Sequence, residues 1–228
     1  MTESSEPVVD AHPAKQPRSR RTLERLLQAA EEVLAREGLE GATVPAIARR
    51  ARLSVGIVYR RFPDKDALMR AVYERFFARS MAANRDALDP TRWAGVPATR
   101  IVRSVVGGMV RGYEQHRTIL RALLRYADAH PDPEFRRHAE ALRGDAFARV
   151  GDLLLARRAE IRHPDPAAAI RFALTVVALA LQGLVLPERR WSQPELEQIV
   201  GTGEQLGAEL DRLVLGYLGL DADPEPVG

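Results

Sequence analysis

Twenty residues, Thr43-Val44-Pro45-Ala46-Ile47-Ala48-Arg49-Arg50-Ala51-Arg52-Leu53-Ser54-Val55-Gly56-Ile57-Val58-Tyr59-Arg60-Arg61-Phe62, decide how the rest of the chain is read. The Thr43 hydroxyl can cap a short helix in which Val44, Ile47 and Ala48 fall on one side. Ala51-Arg52-Leu53 forms a turn, and Ser54 caps a second short helix, Val55 to Phe62, with Val58 and Phe62 facing inward. Two short helices joined this tightly have helix-turn-helix spacing, in which the second helix can lie in a DNA major groove while the first crosses the backbone. The small residues Ala48 and Ala51 stand where the helices must cross, and Ile47, Leu53, Val58 and Phe62 lock the angle. The outer side carries Arg60 and Arg61, with Ser54, Val55, Gly56 and Ile57 on the approach side. Gly56 has no side chain to hold the backbone away from a ligand.

Outward from this segment, every further element reads as a helix. Upstream, Leu23, Leu26, Leu27, Ala30 and Leu34 recur at three-and-four spacing behind an N-cap at Thr22, and Gly38 closes that helix. Residues 1–21 are polar and rich in Pro, Ser and charge; they read as a disordered arm, because they bury too little apolar surface to offset ordering. Downstream, Pro63-Asp64 starts a fourth helix, about 64–86, with Leu68, Val72, Phe76 and Phe77 as apolar positions. Helices follow at about 96–116, with a bend at Gly107-Gly108, and at 118–129, 134–158 and 166–186. A last one, about 193–220, opens on the capping box Ser192-Gln193-Pro194-Glu195. The string His-Pro-Asp-Pro occurs at 130–133 and again at 163–166, each time as a helix stop followed by an Asp cap and a Pro at the first helical position. No stretch shows strand-like alternation. The expected fold is all-α: a three-helix N-terminal domain, 22–67, and a larger helical domain, 68–228.

Charge is unevenly placed. The chain of 228 residues has a net charge of only +3. Residues 1–16 sum to −2, residues 17–62 hold ten arginines against five glutamates and sum to +5, and residues 63–228 are neutral. The positive excess therefore sits in the helix-turn-helix segment, where it attracts polyanions whatever the whole-chain balance. Cysteine is absent, which excludes disulfides, thiolate metal sites and cysteine nucleophiles and fits a cytoplasmic protein. The N-terminus has no apolar core of a signal peptide, and the longest apolar run, Phe172–Leu186, is shorter than the ~20 residues a bilayer span needs. It reads as a buried helix, with no membrane as partner.

Extended through Pro63-Asp64-Lys65-Asp66-Ala67-Leu68, the segment with its Gly-x-x-Tyr-x-x-Phe-x-x-Lys core (Gly56, Tyr59, Phe62, Lys65) resembles the DNA-binding domain of the tetracycline-repressor (TetR) family over about Thr22 to Tyr73. The resemblance implies a transcriptional regulator that binds double-stranded operator DNA. Thr43, Tyr59 and Lys65 are expected on phosphates, and Ser54, Val55, Gly56, Arg60 and Arg61 on or beside the DNA. Lys65 stands at a helix N-terminus, where backbone amides also favour an anion. Val55 departs from a frequent lysine, Ile57 from a small polar residue and Arg61 from a frequent histidine. Readout then leans on arginine–guanine contacts and on apolar contact with thymine methyls. Arg18, Arg20 and Arg21 could reach a minor groove as a flexible arm, against the simpler reading of a solvated tail.

One such module makes few contacts, so specific binding calls for two on a two-fold axis. The run Phe172–Leu186 is apolar on nearly every side and must be covered all round. The last helix carries Leu196, Ile199, Val200, Leu206, Leu210, Leu213, Val214 and Leu218, and Gly201, Gly203 and Gly207 would admit a close neighbour. The family resemblance implies a homodimer through the last two long helices, about 166–186 and 193–220. An intramolecular core is the alternative. A pocket for a small-molecule effector, apolar and aromatic with a few polar groups, can draw on Met109, Tyr113, His116, Leu120, Leu124, Tyr126, Phe147, Phe172 and Gln182. The family mechanism would couple that pocket to the DNA through the fourth helix.

Two other function classes compete. His130, Asp132, Glu134 and His138 are close enough to suggest a metal-dependent enzyme, but a cap followed by a surface helix explains the same residues. No serine elbow, phosphate loop or His-Glu-x-x-His motif is present, so neither catalytic residues, a metal nor a cofactor is expected. An interaction module of this fold that has lost DNA binding is the second rival, and Val55 and Ile57 leave room for it.

Overall fold

The computed structural model describes residues 17–186 and 201–220. Among them the secondary structure is helical throughout: α1 Pro17–Gly41, α2 Val44–Arg50, α3 Val55–Tyr59, α4 Lys65–Ala87, α5 Ala98–Gln115, α6 Arg117–Asp128, α7 Pro133–Leu155, α8 Pro166–Val185 and α9 Gly203–Leu218. Short 3-10 turns at Pro90–Trp93 and Arg158–Glu160 join α4 to α5 and α7 to α8. The chain divides into two compact units, Met1–Phe76 and Phe77–Gly228.

In the first unit the apolar stripe of α1 (Leu26, Ala30, Val33, Leu34) is buried together with Ile47 and Ala48 of α2, Val58 of α3 and Leu68, Val72 and Tyr73 of α4. Thr43 caps α2 as its sequence position predicts, its Oγ1 accepting the Ala46 N–H at 3.3 Å. Gly38 takes φ +69°, a backbone that L side chains rarely adopt, and ends the regular part of α1 where expected. Three boundaries differ from the sequence reading. The first helix begins at Pro17 rather than Thr22, so residues 17–21 belong to α1 and not to an arm; residues 1–16 lie outside the described residues. The recognition helix stops at Tyr59 instead of Phe62. Phe62 precedes Pro63, and the ring of a proline disfavours the helical conformation in the residue before it. Third, Ser54 occupies the N-cap position of α3 but its hydroxyl makes no capping bond; its carbonyl accepts the Ile57 N–H at 3.0 Å.

In the second unit α5, α7, α8 and α9 enclose a core of Ile101, Val106, Leu154, Ile170, Val177, Leu181, Leu210, Val214 and Leu218. Helix α8 is long and apolar enough to cross a membrane by composition alone, with mean hydropathy 1.9, yet Ala169, Ile170, Ala173, Val177 and Leu181 are buried against protein. Both His-Pro-Asp-Pro strings share the bond from the Asp N–H to the imidazole and an Asp cap, the cap reaching two residues on in the first and three in the second. The imidazole Nδ1 of His130 accepts the Asp132 N–H at 3.1 Å while Asp132 caps α7 through the Glu134 N–H. His163 does the same for the Asp165 N–H at 3.1 Å, and Asp165 caps α8 through Ala168. Pro97 cannot cap α5, and a carboxylate distant in sequence does so instead: Glu160 accepts the Ala98 N–H at 2.7 Å.

Helix α5 runs through Gly107 and Gly108 as one helix. Residues 187–200, with the expected capping box and Leu196, Ile199 and Val200, lie outside the described residues. The last described helix is opened by its own capping box, Thr202 with Gln205, after Gly201 at φ +55°. Gly203 and Gly207 face α5: a Cβ on Gly203 would collide with the Glu114 carboxylate, and one on Gly207 would touch Val110. Close packing at these two glycines is therefore made inside the chain.

Candidate nucleic-acid interface

The interface is built from the outside of the helix-turn-helix. Val58 and Phe62 are buried and hold α3 down. The turn between α2 and α3 closes with the Leu53 N–H donating to Ala48 O at 2.9 Å and with Arg52 at φ +52°. That left-handed residue reverses the chain tightly enough to turn α3 outward, at a conformational cost, since L residues disfavour this region. The opposite side of α3 is then left to solvent. Ser54 and Gly56 are exposed, Val55 is 37% exposed, and Tyr59, a large aromatic, is 51% exposed. Ile57 is half-buried, sharing its side chain between packing and solvent. Arg60 follows at the C-cap and is exposed.

Thr43 and Lys65 flank this face, both exposed. The Asp64 carboxylate accepts the Ala67 N–H at 2.7 Å, so part of the amide array that would favour an anion at the start of α4 is already satisfied internally. The Lys65 ammonium adds an exposed positive charge there. Arg61 behaves differently from Arg60. It is half-buried, and its Nη2 donates to both the carbonyl and the hydroxyl oxygen of Ser19, each at 2.9 Å. The sequence held no signal for this pairing, because it joins residues 42 apart.

A polar cleft of about 310 Å³ lies between α1 and α2, lined by Glu32, Val33, Arg36, Glu37, Ala46, Arg49, Arg50 and Arg52. Arg50 crosses it to pair with Glu32. Sequence reading did not single it out.

Of the residues proposed for an effector pocket, Tyr113 of α5 and Gln182 of α8 are brought together by a hydrogen bond. Burial pushes the Tyr113 hydroxyl above its ordinary range, while that bond and the nearby charge of Arg143 pull it back. Met109 and Phe147 pack partly buried against the same core. Arg143, from α7, was missed in the sequence; an arginine on a mostly polar helix gives no hint of what it faces. Leu124 is buried and Leu120 half-buried on α6. The remaining three stand elsewhere. His116 is exposed at the end of α5. Tyr126 packs edge-on against His130 and Phe135, with ring centroids 5.3 and 5.6 Å away. Phe172 is 57% exposed and lies against Tyr217 at 5.3 Å, on the outside of the second unit. The rival metal cluster is accounted for locally: His130 and Asp132 form the α7 cap, and no group of three His, Asp or Glu side chains able to hold a metal occurs among the described residues.

Residues 26–72 match the family profile of bacterial regulatory proteins of the tetR family. No curated protein matches the sequence. Solved structures with the same fold include a transcriptional regulator from Rhodococcus sp. Rha1, 22% identical with TM-score 0.62 over 89% of this chain and 99% of that one. The TetR-family regulator PfmR from Thermus thermophilus is 19% identical, TM-score 0.58, over 87% and 100%. The regulator FadR from Bacillus subtilis, solved in complex with stearoyl-CoA, is 14% identical, TM-score 0.62, over 85% and 98%.

Proposed function

We propose that this chain, whose residues 26–72 match the tetR family of bacterial regulatory proteins, is a cytoplasmic repressor that grips a palindromic operator as a homodimer and lets go when a small molecule binds. One observation carries the DNA reading: α3 buries Val58 on one side and leaves Val55, Gly56, Tyr59 and Arg60 to solvent on the other. A five-residue helix with that division cannot be a core element, and its solvent side has the polar tip, free backbone and cation that groove entry requires. In this reading Thr43, Tyr59 and Lys65 hold phosphates, and Ser54, Val55, Gly56 and Arg60 meet base edges.

Dimerisation is supported by the large apolar side chains left exposed on α8 and α9. Phe172 and Leu179 are seven residues apart on α8, Leu213 and Tyr217 four apart on α9, and the Phe172–Tyr217 contact joins the two rows. Such a stripe is stable in water once a second copy covers it. The effector site is placed around Tyr113, Gln182 and Arg143, with Met109 and Phe147 as apolar walls; it suits a mainly apolar ligand bearing a hydrogen-bond acceptor or an anionic group. Helix α4 runs unbroken from Lys65 to Ala87, from the phosphate-holding residue into the second unit, and supplies the covalent path between the two functions. Release requires that the ligand bind more tightly to the DNA-free arrangement than to the DNA-bound one.

Selection from random duplexes tests the whole reading. It should enrich an inverted repeat whose half-sites are about 10 base pairs, one turn, apart or a multiple of that. Enrichment of no sequence would leave an interaction module with this fold.

A further inference from the structure

The first turn of α1 poses a question the fold alone does not answer. Arg20 and Arg21 are exposed, and among the side chains described in α1 the buried core begins at Leu26. Short polar turns gain too little from propensity to stay helical unaided. A contact reaches this turn from elsewhere in the unit: the Arg61 guanidinium donates to Ser19 O and Ser19 Oγ at 2.9 Å each. Arg61 in turn belongs to the segment between α3 and α4, its own N–H held by Val58 O at 2.9 Å. The start of α1 is thereby fastened, at the span of one arginine side chain, to the residues next to Tyr59 and Arg60.

We propose that Arg61 is a positioning residue and not a base reader: by clasping Ser19 it sets Arg20 and Arg21 beside the recognition segment, where they bind DNA phosphates flanking the groove that α3 enters. The proposal rests on the DNA-binding reading. A guanidinium with two bonds committed to Ser19 cannot also present its fork to a guanine, which takes two parallel N–H donors. Two exposed arginines on a helical turn held in place lose less conformational freedom on binding than they would on a loose arm, so the clasp converts charge into affinity. The polyanion they meet is the same duplex, because the clasp ties them to the segment that docks on it.

The test uses the full chain and the duplex obtained by selection, with Kd measured across ionic strength. Removing one phosphate contact lowers the slope of log affinity against log salt by about 0.9. Arg20→Ala/Arg21→Ala should therefore lower it by about 1.8 per subunit, equivalent to about twelvefold between 50 and 200 mM salt, with melting temperature and base preference unchanged. Arg61→Ala should lower the slope by the same amount and leave base preference intact, and Arg61→Lys, which restores one donor, should recover part of it. Ser19→Ala keeps the carbonyl bond and should fall between. An unchanged slope in Arg20→Ala/Arg21→Ala overturns the inference alone, as does an Arg61→Ala protein that keeps its slope but loses preference at a base pair. A wild-type chain that binds no duplex selectively overturns the regulator reading and this inference with it.

Discussion

Breaking the ion pair that ties α4 to α1 gives a measurable consequence of the fold. Arg75 on α4 is 13% exposed, and its Nε lies 3.1 Å from Oε1 of Glu31, which is 9% exposed. The same guanidinium reaches Glu24 twice, its Nη2 at 2.8 Å from the carboxylate and its Nη1 donating to the carbonyl at 3.0 Å; the Glu24 carboxylate is 66% exposed. At 3.1 Å and an effective dielectric of about 20, the Arg75–Glu31 attraction is about 5 kcal/mol before desolvation. Desolvation of both groups cancels much of that, but removing Arg75 takes the cation from the buried Glu31 carboxylate, a change that costs about 3–5 kcal/mol in buried pairs, whereas removing Glu31 leaves Arg75 its two contacts to Glu24. The Nε–Oε1 contact lacks hydrogen-bond alignment, which argues for the lower end, and the solvated Glu24 contributes under ~1 kcal/mol. Arg75→Met, which keeps the apolar stem, should thus destabilise the first unit by about 3 kcal/mol at pH 7. Glu31→Leu alone leaves Arg75 its contacts to Glu24 and should cost less, and Glu31→Leu/Arg75→Met should cost less than the sum of the two, leaving a coupling of at least ~1.5 kcal/mol. Urea unfolding of the full chain followed by far-UV circular dichroism gives the free energies. Amide exchange over residues 24–34 assigns the destabilisation to this unit. Costs that simply add, or an Arg75→Met penalty under ~0.5 kcal/mol, would refute the buried-pair reasoning.

Three other outcomes follow from single residues. Asp211 is half-buried with an unbonded Oδ1, and burial pushes its carboxyl up to about 6, against the partial relief of Arg103. A carboxyl raised in the folded state stabilises the fold below its unfolded pKa, near 4, and that contribution is lost as pH rises through 6. Asp211→Asn should therefore raise the melting temperature at pH 8 and leave it unchanged or lower at pH 4; full burial would give about 3 kcal/mol, and half-exposure reduces this to on the order of 1 kcal/mol. Arg52→Gly should stabilise the chain by about 0.5–1 kcal/mol in a thermal melt, because relief of the left-handed strain outweighs the extra flexibility of glycine in the unfolded chain; a drop in stability would mean that the Arg52 side chain holds the turn. Tyr59→Ala and Lys65→Ala should weaken binding to all duplexes alike, Lys65→Ala with a salt slope lower by about 0.9 per subunit, and a change confined to the selected duplex would assign them to base readout instead.

The helix-turn-helix and the helical layout were legible because they rest on local signals. Apolar spacing located α1 and α4, the Thr43 cap and Gly38 bounded their elements as read, and the two His-Pro-Asp-Pro strings marked the starts of α7 and α8 to the residue. What was missed depends on contacts distant in sequence. Arg61 read as a twin of Arg60 because they are adjacent, and only the end of α3 at Tyr59 and the approach of Ser19 separate their surroundings. Gly203 and Gly207 announce a close neighbour without saying which, and the neighbour is α5. Phe172 belongs to a helix whose apolar character on all sides hides its orientation; the structure turns it outward to Tyr217. Tyr126 looked available to a ligand, yet its ring is spent on the His130 turn.

In the proposed complex the exposed face of α3 reads the groove, with Arg60 as its cation. Repeating the duplex selection with Arg60→Ala puts that to the test. Preference at one base pair in each half-site should disappear, at a cost of about 1–3 kcal/mol on the original duplex, while the remaining positions and the half-site spacing persist. A variant that recovers the wild-type sequence with every position equally constrained would contradict it.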